Sequence, residues 1–225
     1  RRVRQRLMAI GIVVLSLALW GALTFGAIAG SPPAVAPVAL EGIPAQATQF
    51  IPDELAGVGL FRRERCGVCH NLVGGEPKEG PNLAGAELQK PREWRIVHFN
   101  RSRRDAAGVQ DGSARLSLAE LNALSVLLAR LTAEHGRELE QAPQRLIDGA
   151  EVYTLHACGS CHRVNGSGGE IGPSLNGLAA RRNREWILRH FAAPQLVSPG
   201  SVMPPYRFSK TEEDVILMYL LSLPQ

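Results

Sequence analysis

Apolar and polar positions divide this chain into segments of contrasting character. Residues 7–30 form a run of 24 positions without a charge, long enough to cross a bilayer core as a helix. Residues 117–131 carry Leu118, Leu121, Leu124, Val126, Leu127, Leu128 and Leu131, a broad apolar stripe that predicts a helix packed on one face. His135-Gly136 supplies an ordinary stop for it, so His135 receives little functional weight. A second such helix is predicted over 211–223, where Thr211 precedes Glu212, Glu213 and Asp214, acidic residues that a helix dipole favours in its first turn. Residues 31–52 differ: Pro32, Pro33, Pro37, Pro44 and Pro52 obstruct helix and sheet and predict a tether.

The chain also repeats itself. A shift of 92 positions lays Gly57 and Phe61 on Gly149 and Tyr153, Gly80-Pro81 on Gly172-Pro173, Leu83 on Leu175 and Gly85 on Gly177. It continues through Arg92-Glu93-Trp94 on Arg184-Glu185-Trp186 and His98-Phe99 on His190-Phe191, without an insertion. Beyond that stretch a shift of 94 is expected, pairing Ser117 and Leu121 with Thr211 and Val215. The predicted division is an anchor over 1–30, a tether over 31–52, a first domain over 53–136, a linker over 137–144 and a second domain over 145–225.

All four cysteines lie in two pentapeptides, Cys66-Gly67-Val68-Cys69-His70 and Cys158-Gly159-Ser160-Cys161-His162. The Cys-x-x-Cys-His spacing suits covalent attachment of c-type haem: each sulfur adds to one vinyl group, and the histidine binds the iron. A redox dithiol or half a zinc site would not need the trailing histidine at both places. The expected cofactors are two c-type haems, held by Cys66, Cys69, Cys158 and Cys161 with His70 and His162 on the irons. The haems would also supply apolar bulk that domains of this size lack.

With these motifs in tandem, residues 50–225 resemble two copies of the class I c-type cytochrome family. The resemblance implies an all-α fold: an N-terminal transmembrane helix followed by two tandem class I cytochrome c domains. In the second copy it implies a first helix over 148–157, a loop at Gly172-Pro173, a middle helix over 183–191, a ligand loop over 201–205 and the closing helix. The Pro81 and Pro173 carbonyls would accept a hydrogen bond from the ligating histidines, fixing the rings. Met203, 41 residues after His162 in Val-Met-Pro-Pro, stands where the family places its distal thioether, so the second haem is expected to be His/Met and the higher in potential.

The first copy has no such methionine, since its matching segment reads Gly108-Val109-Gln110-Asp111-Gly112 and the remaining methionines are Met8 and Met218. His98 is a candidate distal ligand of the first haem, although His190 occupies the same position beside Met203. Gln110, a ligand from another subunit or an open site are the alternatives; His135 and His156 are weaker candidates. Trp94 and Trp186 are expected at the haem edges.

Charge changes the picture little. The formal +4 equals Arg1, Arg2, Arg4 and Arg6; the other 21 basic residues balance 21 acidic ones, and nucleic-acid binding is not expected. Arg101, Arg103 and Arg104, and Arg181, Arg182 and Arg184, are clusters that suit solvated loops and helix starts, haem propionates or an acidic partner. The four arginines before the apolar run, with none after it until Arg62, place the N-terminus in the cytoplasm and the rest outside. A signal peptide cut near Ala27-Ile28-Ala29 competes with a retained anchor, but the run exceeds the usual signal length.

The expected protein is a membrane-anchored dihaem cytochrome c, single-pass in the cytoplasmic membrane with its haem domains in the periplasm. It would carry single electrons as a subunit of a respiratory complex to periplasmic acceptors. Its expected partners are respiratory complex subunits, a periplasmic electron-transfer protein and the bilayer. It resembles the anchored subunits of quinol-oxidising complexes of the cytochrome bc type, of terminal oxidases and of nitrate reductases. The alternatives are a dihaem oxidoreductase of thiosulfate dehydrogenase or peroxidase type, catalysing at the first haem, or a gas sensor there. Against catalysis, no separate nucleophile or acid–base pair accompanies that haem.

Overall fold

The computed structural model describes residues 49–84, 90–107 and 115–225. The expected anchor, almost all of the tether and the segment around Gln110 lie outside the described residues. Within them the chain is helix-rich: α1 (Pro52–Arg63), α2 (Arg92–Ala107), α3 (Leu118–Arg130), α4 (Ala133–Glu140), α5 (Gln144–Leu155), α6 (Leu178–Arg181), α7 (Arg184–Ala192), α8 (Pro194–Val197) and α9 (Lys210–Ser222). One feature departs from an all-α expectation. Arg163–Val164 pairs antiparallel with Ser167–Gly168, and Asn165 and Gly166 have φ of 50° and 80° between them. Asn-Gly suits a tight hairpin because both positions tolerate positive φ. Among the described residues no helix is long and apolar enough to cross a membrane.

The repeat is stricter than expected. Ser117 and Ser209 cap α3 and α9, each accepting from the backbone N–H of the glutamate three residues on, Glu120 or Glu212, whose carboxylate in turn accepts from the serine N–H. Ser117 therefore corresponds to Ser209, not Thr211, and the shift of 92 persists through the closing helices, each 13 residues long. The expected shift of 94 followed charge content; the structure follows the cap. α1 and α5 obey the same offset.

In each copy the first and closing helices cross at a glycine. A Cβ on Gly57 would lie 2.7 Å from both the Ala123 carbonyl oxygen and Leu127 Cβ, and one on Gly149 2.5 Å from Tyr219 Cβ. The 92-residue equivalents of Ala123 and Leu127 are Val215 and Tyr219, so the same crossing is built twice. Leu121, Leu124, Leu127 and Leu131 of the predicted stripe are buried, but Leu118 is 77% exposed, one residue past the serine cap.

Four local expectations need correction. Pro52 does not obstruct a helix but opens α1, where a missing N–H costs nothing; Phe50 and Ile51 before it are buried. His135-Gly136 does not stop the closing helix, because Leu131 ends it in extended backbone and Thr132 caps α4 by accepting from His135 N. α4 fills the first half of the stretch read as a linker, with Leu139 buried. α5 begins at Gln144, four residues before the predicted start, with Pro143 as its N-cap.

α1 and α5 also join the two copies, running antiparallel. Thr154 Oγ1 donates to Asp53 at 3.2 Å and Arg62 Nη1 to Gln144 at 2.9 Å. Thr154 is the equivalent of Arg62, and Gln144 of Pro52, so the contact nearly repeats under exchange of the copies, as across a two-fold axis. Gly59 permits the approach, since a Cβ there would lie 2.7 Å from Glu151 Cδ and 2.8 Å from Ile147 Cγ2. Arg63 bridges Glu120 at 2.7 Å and Glu151 at 3.2 Å beside this seam. Leu55, Val58, Leu146 and Ile147 continue one apolar core across it.

Candidate haem sites

Each Cys-x-x-Cys-His turn follows its copy's first helix. Arg65 and Ala157 take left-handed φ of 56° and 53°, which turns the chain out of the helix, and Cys66–Val68 and Cys158–Ser160 form single 3₁₀ turns. Gly67 and Gly159 lie over the rings of Phe61 and Tyr153. Tyr153 donates its hydroxyl to the His162 carbonyl at 2.9 Å, a tie that Phe61 cannot make. Because α1 and α5 are antiparallel, the two turns lie at opposite ends of a helix pair roughly 18 Å long.

His70 Nδ1 lies 2.8 Å from the Pro81 carbonyl oxygen, and His162 Nδ1 2.9 Å from that of Pro173. A carbonyl can only accept, so Nδ1 carries the proton and Nε2 keeps its lone pair for a metal. Gly80 and Gly172 allow this placement. A Cβ would stand 2.5 Å from His70 Nδ1 in one copy and 2.5 Å from His162 Cε1 in the other. The same cradle at the same offset fits two haem-ligating histidines.

The cysteines form no disulfide. Burial pushes the Cys66 thiol up to about 11, with Glu64 adding to it, and burial pushes the Cys158 thiol up to about 11, with Cys161 adding to it. A redox-active dithiol needs the reverse, a depressed thiol. The residues present therefore suit covalent haem better than thiol exchange, and a bound haem would supply one-electron iron chemistry.

Met203 lies in a held loop, partly buried against the core with Tyr206 and Phe208. Ser201 Oγ accepts from Met203 N at 3.2 Å, Gln195 Nε2 donates to the Met203 carbonyl at 3.2 Å, and Tyr206 N donates to Phe191 at 2.8 Å. Pro194 produces this loop by ending α7 after nine residues. The first copy has Ser102 at the equivalent position, and α2 runs 16 residues.

Middle-helix histidines sit in three-layer stacks. Trp94 stacks on His98 with centroids 4.7 Å apart and Lys90 over its ring; Trp186 stacks on His190 at 4.7 Å with Arg182 over its ring. In each stack the tryptophan and histidine are i, i+4 neighbours on one helix, and the cation comes from the residue two positions before that helix begins. Burial lowers the pKa of both histidines, and His70 or His162 nearby lowers it further. His98 and His70 are in ring contact, 6.0 Å between centroids.

Other candidates have structural roles. His135 Nε2 lies 2.8 Å from Glu54, a carboxylate 1% exposed that also accepts from Arg130 at 2.5 Å. His156 meets Tyr206 and Phe208 edge-on and lies 3.6 Å from Glu212. Arg181 donates to the carbonyls of Ser174 and Asn176, and Arg184 pairs with Asp214. The Glu54 cluster went unread because Arg130 and His135 reach it only through the fold.

Residues 146–224 match the family model described as Cytochrome c. An alignment 96 residues long, covering 38% of this chain, is 29% identical to cytochrome c oxidase subunit 2 of Alkalihalophilus pseudofirmus. The chain spans only 28% of the length of that relative. The second copy is thus a cytochrome c domain, which implies c-type haem binding and electron transfer. A particular complex does not follow from this match.

Proposed function

We propose that this chain is a membrane-anchored dihaem cytochrome c that carries single electrons as a subunit of a respiratory complex to extracytoplasmic acceptors. The observation that supports it is the His–Pro carbonyl cradle, present at both Cys-x-x-Cys-His turns with the same 92-residue offset. Covalent attachment would use Cys66 and Cys69, and Cys158 and Cys161; His70 and His162 would bind the irons, with Met203 completing the second. The charge pattern before residues 7–30 supports anchoring in the cytoplasmic membrane, and the oxidase-subunit similarity supports a respiratory setting. The seam between α1 and α5 would hold the two haems in one body, so the protein's contribution is placement and tuning of potential.

Asp111 in the place of Met203 favours one second possibility, an oxidoreductase with an open first haem. Purification of the full chain from native membranes, with a haem count and identification of co-purifying subunits, tests the two. Two haems per chain and a co-purifying membrane complex are expected. A lone protein that turns over thiosulfate or peroxide would overturn the carrier assignment.

A further inference from the structure

We propose that His98 is the second axial ligand of the first haem, so that the first iron is held by two imidazoles and the second by an imidazole and a thioether. This rests on both copies bearing haem. With the shift of 92 holding to the end of the repeat, the equivalent of Met203 is Asp111, and the chain's three methionines, Met8, Met203 and Met218, all lie outside the first copy. A thioether ligand for the first iron has no source in its own domain.

Geometry puts an imidazole in reach instead. The His70 and His98 rings are 6.0 Å apart between centroids with planes at 80°. Two imidazoles on one first-row metal, each with a metal–nitrogen distance of about 2.0 Å, have centroids roughly 6 Å apart. His70 is already oriented by Pro81 through Nδ1. His98 is oriented by its stack on Trp94, at 9° between planes, so neither ring needs to search for its place.

The second copy provides the control. His190 has the same stack on Trp186 and also lies near His162, but its Nδ1 lies 3.5 Å from Ser198 Oγ. There the Pro194 break turns the chain into the loop that brings Met203. In the first copy α2 continues past the equivalent position, and the middle-helix histidine meets the ligating histidine. Exchange of methionine for imidazole lowers the potential, so electrons would enter at the first haem and leave from the second.

The test uses the full-length holoprotein as wild type, His98→Ala, His98→Met and His190→Ala. Haem per chain is measured first, followed by ferric electron paramagnetic resonance, near-infrared magnetic circular dichroism, redox titration and carbon monoxide binding to the reduced form. Wild type should show one bis-imidazole and one thioether signature and bind no carbon monoxide at the first haem. His98→Ala should bind one carbon monoxide per chain. His98→Met should replace the bis-imidazole signature by a second thioether signature and raise that haem's potential by more than about 59 mV, a tenfold change in a one-electron equilibrium. His190→Ala should leave both signatures in place. Carbon monoxide binding at the first haem of wild type, or a first-haem signature and potential unmoved in His98→Met, would overturn the proposal. Where His98→Ala fails to mature, His98→Met decides. A single haem per chain sinks the dihaem assignment as well, and registers as stoichiometry rather than as a changed ligand signature.

Discussion

Replacing Gly149 by alanine should destabilise the protein, although the same change at an exposed helix position stabilises by roughly 0.5–1 kcal/mol because glycine loses more chain entropy on folding. The added Cβ would stand 2.5 Å from Tyr219 Cβ and nearer still to the Val215 carbonyl oxygen. Ordinary carbon contacts lie at about 3.5–4.0 Å, so the deficit is roughly 1.0–1.5 Å. Neither neighbour is the free end of a flexible side chain. The only relief is to move α9 away from α5, which loosens the contacts of Ile216, Leu217 and Tyr219, all fully buried. Overpacking costs about 1–3 kcal/mol, and the rigid neighbours put this site near about 3. With the two copies unfolding as one body over residues 50–225, that lowers Tm by roughly 6–12 °C. Gly57→Ala is the graded partner, because its nearest neighbours lie at 2.7 Å and its loss should be smaller. Thermal unfolding of the two holoproteins, followed by far-UV and Soret circular dichroism, measures both. A Gly149→Ala protein as stable as wild type, or less affected than Gly57→Ala, would refute the helix crossing as described.

Glu54→Ala should cost about 3 kcal/mol in chemical denaturation, at the low end for a broken buried ion pair, because Arg130 is half exposed and can regain water; a change below about 1 kcal/mol would mean the cluster is not stabilising. Burial holds the Glu151 carboxyl above its ordinary value despite Arg63, so the folded state binds its proton more tightly than the unfolded state. Stability from this group falls as pH rises from the unfolded pKa through the raised folded one, and the stability of Glu151→Gln relative to wild type should increase over that rise; denaturation series across the carboxylate range check the slope, and a difference that shrinks there contradicts the assignment. Met203→Ala should lower the potential of one haem and open that iron alone to carbon monoxide, read by redox titration; two unchanged potentials would exclude Met203 as a ligand.

The chemistry of this chain is written locally, and that is why so much of it could be read without a fold. A Cys-x-x-Cys-His turn needs only five consecutive residues, and the 92-residue repeat needs only comparison of the chain with itself. The helix stripe over 117–131 followed from spacing, since helical geometry puts those positions on one face. Boundaries were less legible. Ser209 was passed over for Thr211 because acidic content marks a helix start less sharply than a serine whose oxygen accepts from the third N–H, and α4 was missed because its burial of Leu139 depends on elements far away in the chain. What tertiary structure alone decided is how the copies meet and which histidines approach each other. Gly59 facing Ile147 and Glu151, the burial of Glu54 under Arg130 and His135, and the contact of His98 with His70 all join residues separated by 28 to 92 positions. No local pattern encodes them, because each depends on the angle at which packed helices cross and on where a proline at 194, absent at 102, lets the middle helix end.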